Sequence, residues 1–129
     1  MVIDTSAILA WLKEEPERAR IVAALEANGA RRVSAVSLLE AQIVVRAREH
    51  PELLEKLERF LEEIDAIITP FDETQARLAA GAFERFGKGQ GHPAQLNMGD
   101  CAVYARAKSV NEPLLFVGND FAQTDLVAC

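Results

Sequence analysis

The sequence predicts an α/β domain with a mostly parallel central sheet of about five strands, covered by helices on both faces. Short apolar runs alternate along the chain with stretches of helical periodicity. Several of those runs are continuous rather than alternating, as strands buried on both faces require. With 129 residues, half of them hydrophobic and 26% charged, the chain has the size and composition of one domain with a core.

Residues 1–4 form an apolar run that closes on Asp4-Thr5-Ser6, after which Ile8, Leu9 and Leu12 recur at helical spacing. That reads as strand, turn, helix, and Trp11 beside Ile8 and Leu12 is expected to pack. Pro16 suits the opening of a second helix whose stripe is Ala19, Val22, Ala23 and Leu25, with Asn28-Gly29 as its C-cap pair. Residues 33–36 give the second strand. Ser37 begins a long helix carrying Leu39, Ile43, Val44 and Ala47; His50-Pro51 interrupts it, and Glu52–Glu63 follows as the second arm of a helical hairpin. Ala66-Ile67-Ile68 is a third strand. Asp72-x-x-Gln75 reads as the capping box of a helix running to Phe86, and Gly87 ends it. After the Gly-rich segment 87–93 come a helix over 98–108, a strand over 114–117 and a short final strand over 126–128.

Twenty acidic against 14 basic residues leave a net charge of −6, which argues against holding nucleic acid or acidic lipid by bulk attraction. A nucleic-acid substrate then needs a local basic patch. No apolar stretch near the start approaches the ~18–20 residues of a membrane span, and no Lys or Arg precedes Lys13 as in a secretory leader. A cytoplasmic protein with no membrane contact is expected. Cys101 and Cys129 lack zinc-site spacing, and Gly87-Lys88-Gly89 lacks the Ser or Thr that a Walker loop places after its Lys.

Ligands of doubly wound sheets sit beyond the carboxyl ends of the strands. Four acids fall there: Asp4 after the first strand, Glu40 in the helix after the second, Asp100 at the start of the late helix, and Asp120 past the strand over 114–117. Singly, each reads as a helix cap, since Ser37-x-x-Glu40 and Asn97-x-x-Asp100 have capping-box spacing and Asp4 and Asp120 stand where caps stand. Together, four carboxylates at one rim would repel one another unless a cation neutralised them, and hard oxygen donors select Mg²⁺ or Mn²⁺. Such a site polarises a phosphate oxygen and lowers the pKa of bound water, the chemistry of phosphodiester hydrolysis. Spacing alone leaves both readings open.

Four segments resemble the PIN-domain VapC toxins, in order and over nearly the whole chain. They are Val2-Ile3-Asp4-Thr5-Ser6-Ala7, Ser37-x-x-Glu40, Leu96-Asn97-Met98-Gly99-Asp100-Cys101 with Tyr104-Ala105, and Leu114-Leu115-Phe116-Val117-Gly118-Asn119-Asp120-Phe121 with Thr124-Asp125. The resemblance implies a three-layer α/β/α PIN-like nuclease domain over residues 1–129. It implies an Mg²⁺-dependent endoribonuclease, Mn²⁺ able to substitute, that is the toxin of a VapBC-type toxin–antitoxin system and hydrolyses RNA with metal-activated water. Carried over by position, it implies Asp4, Glu40, Asp100 and Asp120 as the catalytic, metal-binding acids, with Thr5 or Ser6 orienting a ligand or water. Many members have two acids where this chain has Asn119-Asp120, so Asn119 is left to coordinate through its amide oxygen. Asp125 is placed either beside the metal site or as a turn cap. Relatives are often richer in Arg before the Asn-x-Gly-Asp motif; here Arg85, Lys88 and His92 are the candidates for RNA contact.

The implied partners are RNA, a second copy in a homodimer, and a cognate VapB-like antitoxin lying across helices beside the acidic pocket. The apolar content of 38–60 makes the hairpin part of that expected groove, through Ile43, Val44, Leu57 and Phe60. Two alternatives compete. A non-catalytic PIN-like binding domain would keep the fold and use the acids as caps. A phospho-receiver-like signalling domain would need adjacent acids after strand one and an acceptor Asp after strand three, where this chain has Asp4 alone and Pro70.

Overall fold

The computed structural model describes residues 1–27, 29–48 and 50–129. In chain order the elements are β1 (Val2–Ile3), α1 (Thr5–Leu12), α2 (Arg18–Glu26), β2 (Arg32–Ser34), α3 (Ala35–Arg48), α4 (Glu52–Glu63), β3 (Ile67–Thr69), α5 (Glu73–Phe86), α6 (Met98–Val110) and β4 (Leu114–Leu115). A single 3₁₀ turn follows at Phe121–Gln123. The four strands run parallel in the order β3-β2-β1-β4. Strand order therefore reverses at β1, where β4 returns to pair Val2 with Leu114 and Ile3 with Leu115. Beyond the carboxyl ends of β1 and β4 lies the switch-point crevice of an open α/β sheet.

Two-residue alternation sends neighbouring strand residues to opposite faces. Ile3 and Leu115 join one core with Ile8, Leu12, Ile21, Val45 and Phe60, beneath α1 to α4. Val2 and Leu114 join the other with Ala82, Phe86, Val103 and Phe121, beneath α5 and α6. The result is the expected three-layer α/β/α arrangement. Trp11 packs at 4.4 Å between ring centroids on Phe60, with the Arg18 guanidinium 4.6 Å from its ring.

Several expectations are corrected. The sheet has four strands, because the segment expected as a fifth meets β4 only at a bridge between Leu114 and Ala128. The 3₁₀ turn and the anchoring of Asp125 consume the residues that a longer ladder would use. β2 ends at Ser34 rather than at residue 36, since the Ser34 hydroxyl accepts the Val36 amide at 3.3 Å and starts α3 at once. α2 begins at Arg18 and buries Ile21 and Leu25, leaving Ala19, Val22 and Ala23 of the expected stripe exposed. Its apolar residues occur on both faces, so periodicity could not pick the inner one. Of the Asn28-Gly29 pair, Asn28 lies outside the described residues; Gly29 has a φ of +134°, which suits glycine.

α3 is turned the other way from its expected stripe. Its inward residues are Ser37, Ala41 and Val45, while Leu39 and Ile43 are 57% and 54% exposed. Small residues let the helix approach the sheet and α1 closely, so the bulky ones are left outside. In α4, by contrast, Leu57 and Phe60 are wholly inside the core.

α5 ends at Gly87, as expected, though not through a left-handed turn: its φ is −68°. A Cβ at Gly87 would overlap both the carbonyl and the ring of Phe83. Gly87→Ala should therefore destabilise the protein by about 1–3 kcal/mol, read as a lower urea midpoint at an unchanged m-value. Gly81→Ala, in the same helix with nothing within 4 Å of the added carbon, should be neutral or stabilising by up to about 1 kcal/mol. Equal effects of the two substitutions would contradict the steric assignment.

Candidate active site

At the crevice, Asp4 leaves β1 in an extended conformation and caps α1, accepting the Ser6 amide at 3.0 Å and the Ser6 hydroxyl at 2.5 Å. The Asp4 amide donates to the Leu115 carbonyl at 3.0 Å, and the Ser6 hydroxyl oxygen accepts the Val117 amide at 3.0 Å. These bonds lock the end of β1 to the end of β4. Asp4 is 6% exposed. Burial pushes its carboxyl up from the ordinary value, against the Ser6 hydrogen bonds and with added repulsion from Glu40.

Glu40 comes from the second turn of α3, and its Oε2 accepts the Thr5 hydroxyl at 2.9 Å. The capping box expected for Ser37-x-x-Glu40 does not form. α3 already starts at Ala35, so Ser37 lies inside the helix with its hydroxyl buried and without a hydrogen-bond partner among the described residues. Asp100 does complete the box expected with Asn97: the Asn97 amide donates to its Oδ2 at 3.0 Å and its own amide donates to Asn97 Oδ1 at 2.9 Å. Burial raises Asp100 to about 6, against the hydrogen bond from Asn97, and repulsion from Asp4, Asp120 and Glu40 adds to it. Asp120 precedes the 3₁₀ turn, is exposed and makes no capping hydrogen bond.

Asp4, Thr5, Ser6, Glu40, Asp100 and Asp120 line one cleft of about 180 Å³. A larger cavity of about 360 Å³ between α5, α6 and the start of α3 is almost wholly apolar and offers no carboxylate. The donor chemistry of the cleft suits a hard divalent cation, and two carboxyls raised by burial and by neighbouring acids are what such a cation would relieve. Among the described residues, however, no three His, Cys, Asp or Glu side chains stand in an arrangement that holds a metal ion as they are. The acids share the cleft without closing on a common point.

The remaining candidates lie elsewhere. Asn119 is not among the residues lining the cleft; its carbonyl accepts the Ala122 amide at 3.2 Å. Asp125 accepts the Tyr104 hydroxyl at 2.7 Å and Lys108 Nζ at 3.1 Å, with Arg85 at 3.8 Å. The Tyr104 hydrogen bond is the main cause that lowers its carboxyl below the usual range. Arg85 also donates to Tyr104 at 3.3 Å and lies over the Phe86 ring. His92 Nδ1 accepts the Ala94 amide at 3.1 Å and its ring meets Phe86 edge-on, whereas Lys88 is exposed on the Gly-rich loop. The link through Tyr104 was not read from the sequence, although Asp100, Tyr104 and Lys108 follow one another at four-residue spacing on one face of α6.

A folded value of about 6 against 3.8 means that the folded protein holds the Asp100 proton more firmly than the unfolded chain. Cation-free protein should lose stability as pH rises from 3.8 to about 6, with Asp4 shifted in the same direction. Melting temperatures in chelator should thus be higher near pH ~5 than near pH ~7, and Asp100→Asn, which keeps a capping oxygen, should reduce the difference. A variant with the wild-type slope would exclude Asp100 as the source.

The PIN-domain family model matches residues 1–126. The ribonuclease VapC28 of Mycobacterium tuberculosis is 46% identical over 124 residues, covering 96% of this chain and 93% of that protein. The ribonuclease VapC42 of the same species is 40% identical over 126 residues, covering 98% and 96%. Among solved structures, VapBC2 of Rickettsia felis, bound to a promoter DNA fragment, superposes with a TM-score of 0.76 at 17% identity over 99% of this chain and 96% of the matched one. The sarcin–ricin-loop-cleaving toxin VapC20 of M. tuberculosis superposes with a TM-score of 0.74 at 15% identity, covering 99% and 97%. The receiver alternative falls with these matches, and β3 runs into Pro70 without an acceptor Asp. The chain belongs to the PIN-domain family and, within it, to the VapC ribonuclease toxins.

Proposed function

We propose that the protein is an Mg²⁺-dependent endoribonuclease, with Mn²⁺ able to substitute, that acts as the toxin of a VapBC-type toxin–antitoxin pair. The observation that carries this reading is the meeting of Asp4, Glu40, Asp100 and Asp120 at one cleft in a chain nearly half identical to a named ribonuclease. A divalent cation bound there would neutralise the phosphate in the transition state and lower the pKa of an attacking water. Asp4 and Asp100, both held by fixed hydrogen bonds, would be its firmest ligands. Thr5 holds Glu40 towards the cleft, Ser6 fixes Asp4, and Asp120, exposed and free of a capping bond on the cleft wall, would be available as a further ligand.

RNA is the proposed substrate. With a net charge of −6, grip on its backbone depends on local cations. Lys88 is the most available candidate, since Arg85 is engaged with Asp125 and Tyr104 and His92 is turned onto Phe86. The proposed protein partners are a second copy and a cognate antitoxin. Leu57 and Phe60 are withdrawn from the expected antitoxin groove because both are core residues. Ile43 of the expected set is kept, and Leu39, exposed with it on α3 beside Glu40, is added as an apolar contact a partner would meet.

Purified protein free of antitoxin should cut total RNA into discrete fragments with Mg²⁺ or Mn²⁺ and not with chelator. Asp4→Asn and Asp100→Asn should each lower cleavage at least ~100-fold while the protein stays folded. Undiminished Mg²⁺-dependent cleavage by either variant would overturn the assignment. Ile43→Asp should leave the fold intact and weaken antitoxin capture or self-association, whereas Leu57→Asp should unfold the protein; full retention of both associations in Ile43→Asp would remove α3 from the interface.

A further inference from the structure

We propose that Gly99 is a positioning residue for Glu40: its missing side chain lets the first turn of α6 close against the Glu40 carboxylate and keep it on Thr5 beside Asp100. The inference rests on the reading of the acids as ligands of a divalent cation. A Cβ built on Gly99 falls 2.9 Å from Glu40 Oε2, 3.1 Å from Oε1 and 3.3 Å from Cδ. No other residue supplies those three nearest atoms; the obstruction is the Glu40 carboxylate itself.

The backbone gives no reason for glycine here. Gly99 lies within the helix Met98–Val110, outside the left-handed region, and both bonds of the flanking capping box are formed by Asn97 and Asp100. Helical backbone favours alanine over glycine, so glycine in the first turn of α6 brings no gain in propensity. Gly81 in α5 shows the contrast, with open space around the same added carbon.

The collision meets the far end of a flexible side chain rather than backbone, so the carboxylate yields and the fold does not. α3 cannot retreat instead, because Ser37 and Ala41 pack fully buried on its inner face. A methyl group at position 99 therefore drives Glu40 off the Thr5 hydroxyl, which is its one hydrogen bond among the described residues. The change would displace one carboxylate of the cleft without removing any acid from it.

The signature is opposed effects on stability and on cation affinity. Mn²⁺ is titrated calorimetrically into cation-free wild type, Asp4→Asn, Gly99→Ala, Thr5→Val and the Gly99→Ala/Thr5→Val double variant, with thermal melts in chelator. Gly99→Ala should melt at or above wild type and bind Mn²⁺ roughly 10-fold more weakly. The double variant should lose far less than the product of the two single losses, because both release the same carboxylate. Mn²⁺ affinity of Gly99→Ala within about twofold of wild type, fully multiplicative losses, or a Gly99→Ala protein that melts well below wild type or fails to fold would overturn the proposal. Wild type that does not bind Mn²⁺, or Asp4→Asn that binds it equally well, would instead overturn the cation-site reading and this inference with it.

Discussion

Parallel pairing of β4 with β1 is the constraint on which the rest of the molecule depends. The strands are only two residues long, yet the register of Val2 with Leu114 and Ile3 with Leu115 brings Asp4 and the segment carrying Asp120 to one edge across more than a hundred residues of chain. The crossover through α5 and α6 that makes this return possible also delivers Asp100. Two cores, one on each face, hold the pairing in place, and the Ser6 hydroxyl stitches its open end by bonding Asp4 and the Val117 amide together. The site is a product of topology before it is a product of side chains.

Electrostatics then works against the cation-free fold. Burying Asp4 and half-burying Asp100 beside Glu40 and Asp120 raises the cost of ionising them, and the protein offsets this with hydrogen bonds at helix starts. Capping and site chemistry are here the same bonds. Asp4 caps α1 and Asp100 closes the box on α6, so each carboxylate has one oxygen committed to a helix and a fixed orientation towards the cleft. Glu40 differs, since its helix starts earlier and is capped by Ser34; its carboxylate is left to Thr5 and to the space above Gly99. Asp4 and Asp100 are thus fixed by capping bonds, whereas Glu40 and the exposed Asp120 are not, a mixture that would suit the cation site proposed above.

Small residues decide what faces outwards. α3 presents Ser37 and Ala41 to the sheet and leaves Leu39 and Ile43 in water, next to Met98 at the start of α6, which is 83% exposed. The acidic cleft thus has an apolar border, and most of the basic side chains are taken up by local ion pairs or by backbone carbonyls, as with Arg32 on Glu112 and Arg20 on the Phe116 carbonyl. A chain of net charge −6 with so few uncommitted cations offers RNA little general attraction, and its exposed apolar side chains cluster beside the acidic cleft.

The sequence by itself determined the order of elements, the bounds of α4 and α5, the caps at Asp4, Asp72 and Asn97 with Asp100, and the gathering of Asp4, Glu40, Asp100 and Asp120 at the carboxyl edge of the sheet. These follow from signals within a few residues of one another: helical period, cap chemistry, and strand runs flanked by turns. It misjudged the inner face of α2 and α3, the cap at Ser37, the final strand, and the availability of Leu57 and Phe60. Each of those depends on what lies across a gap, because a helix with apolar residues on both sides turns whichever face packs more closely. The tertiary structure alone decided that Glu40 rests on Thr5 and against Gly99 and that Asp125 belongs to Tyr104 and not to the cleft. Such contacts join residues separated by tens of positions, and short-range pattern carries no record of them.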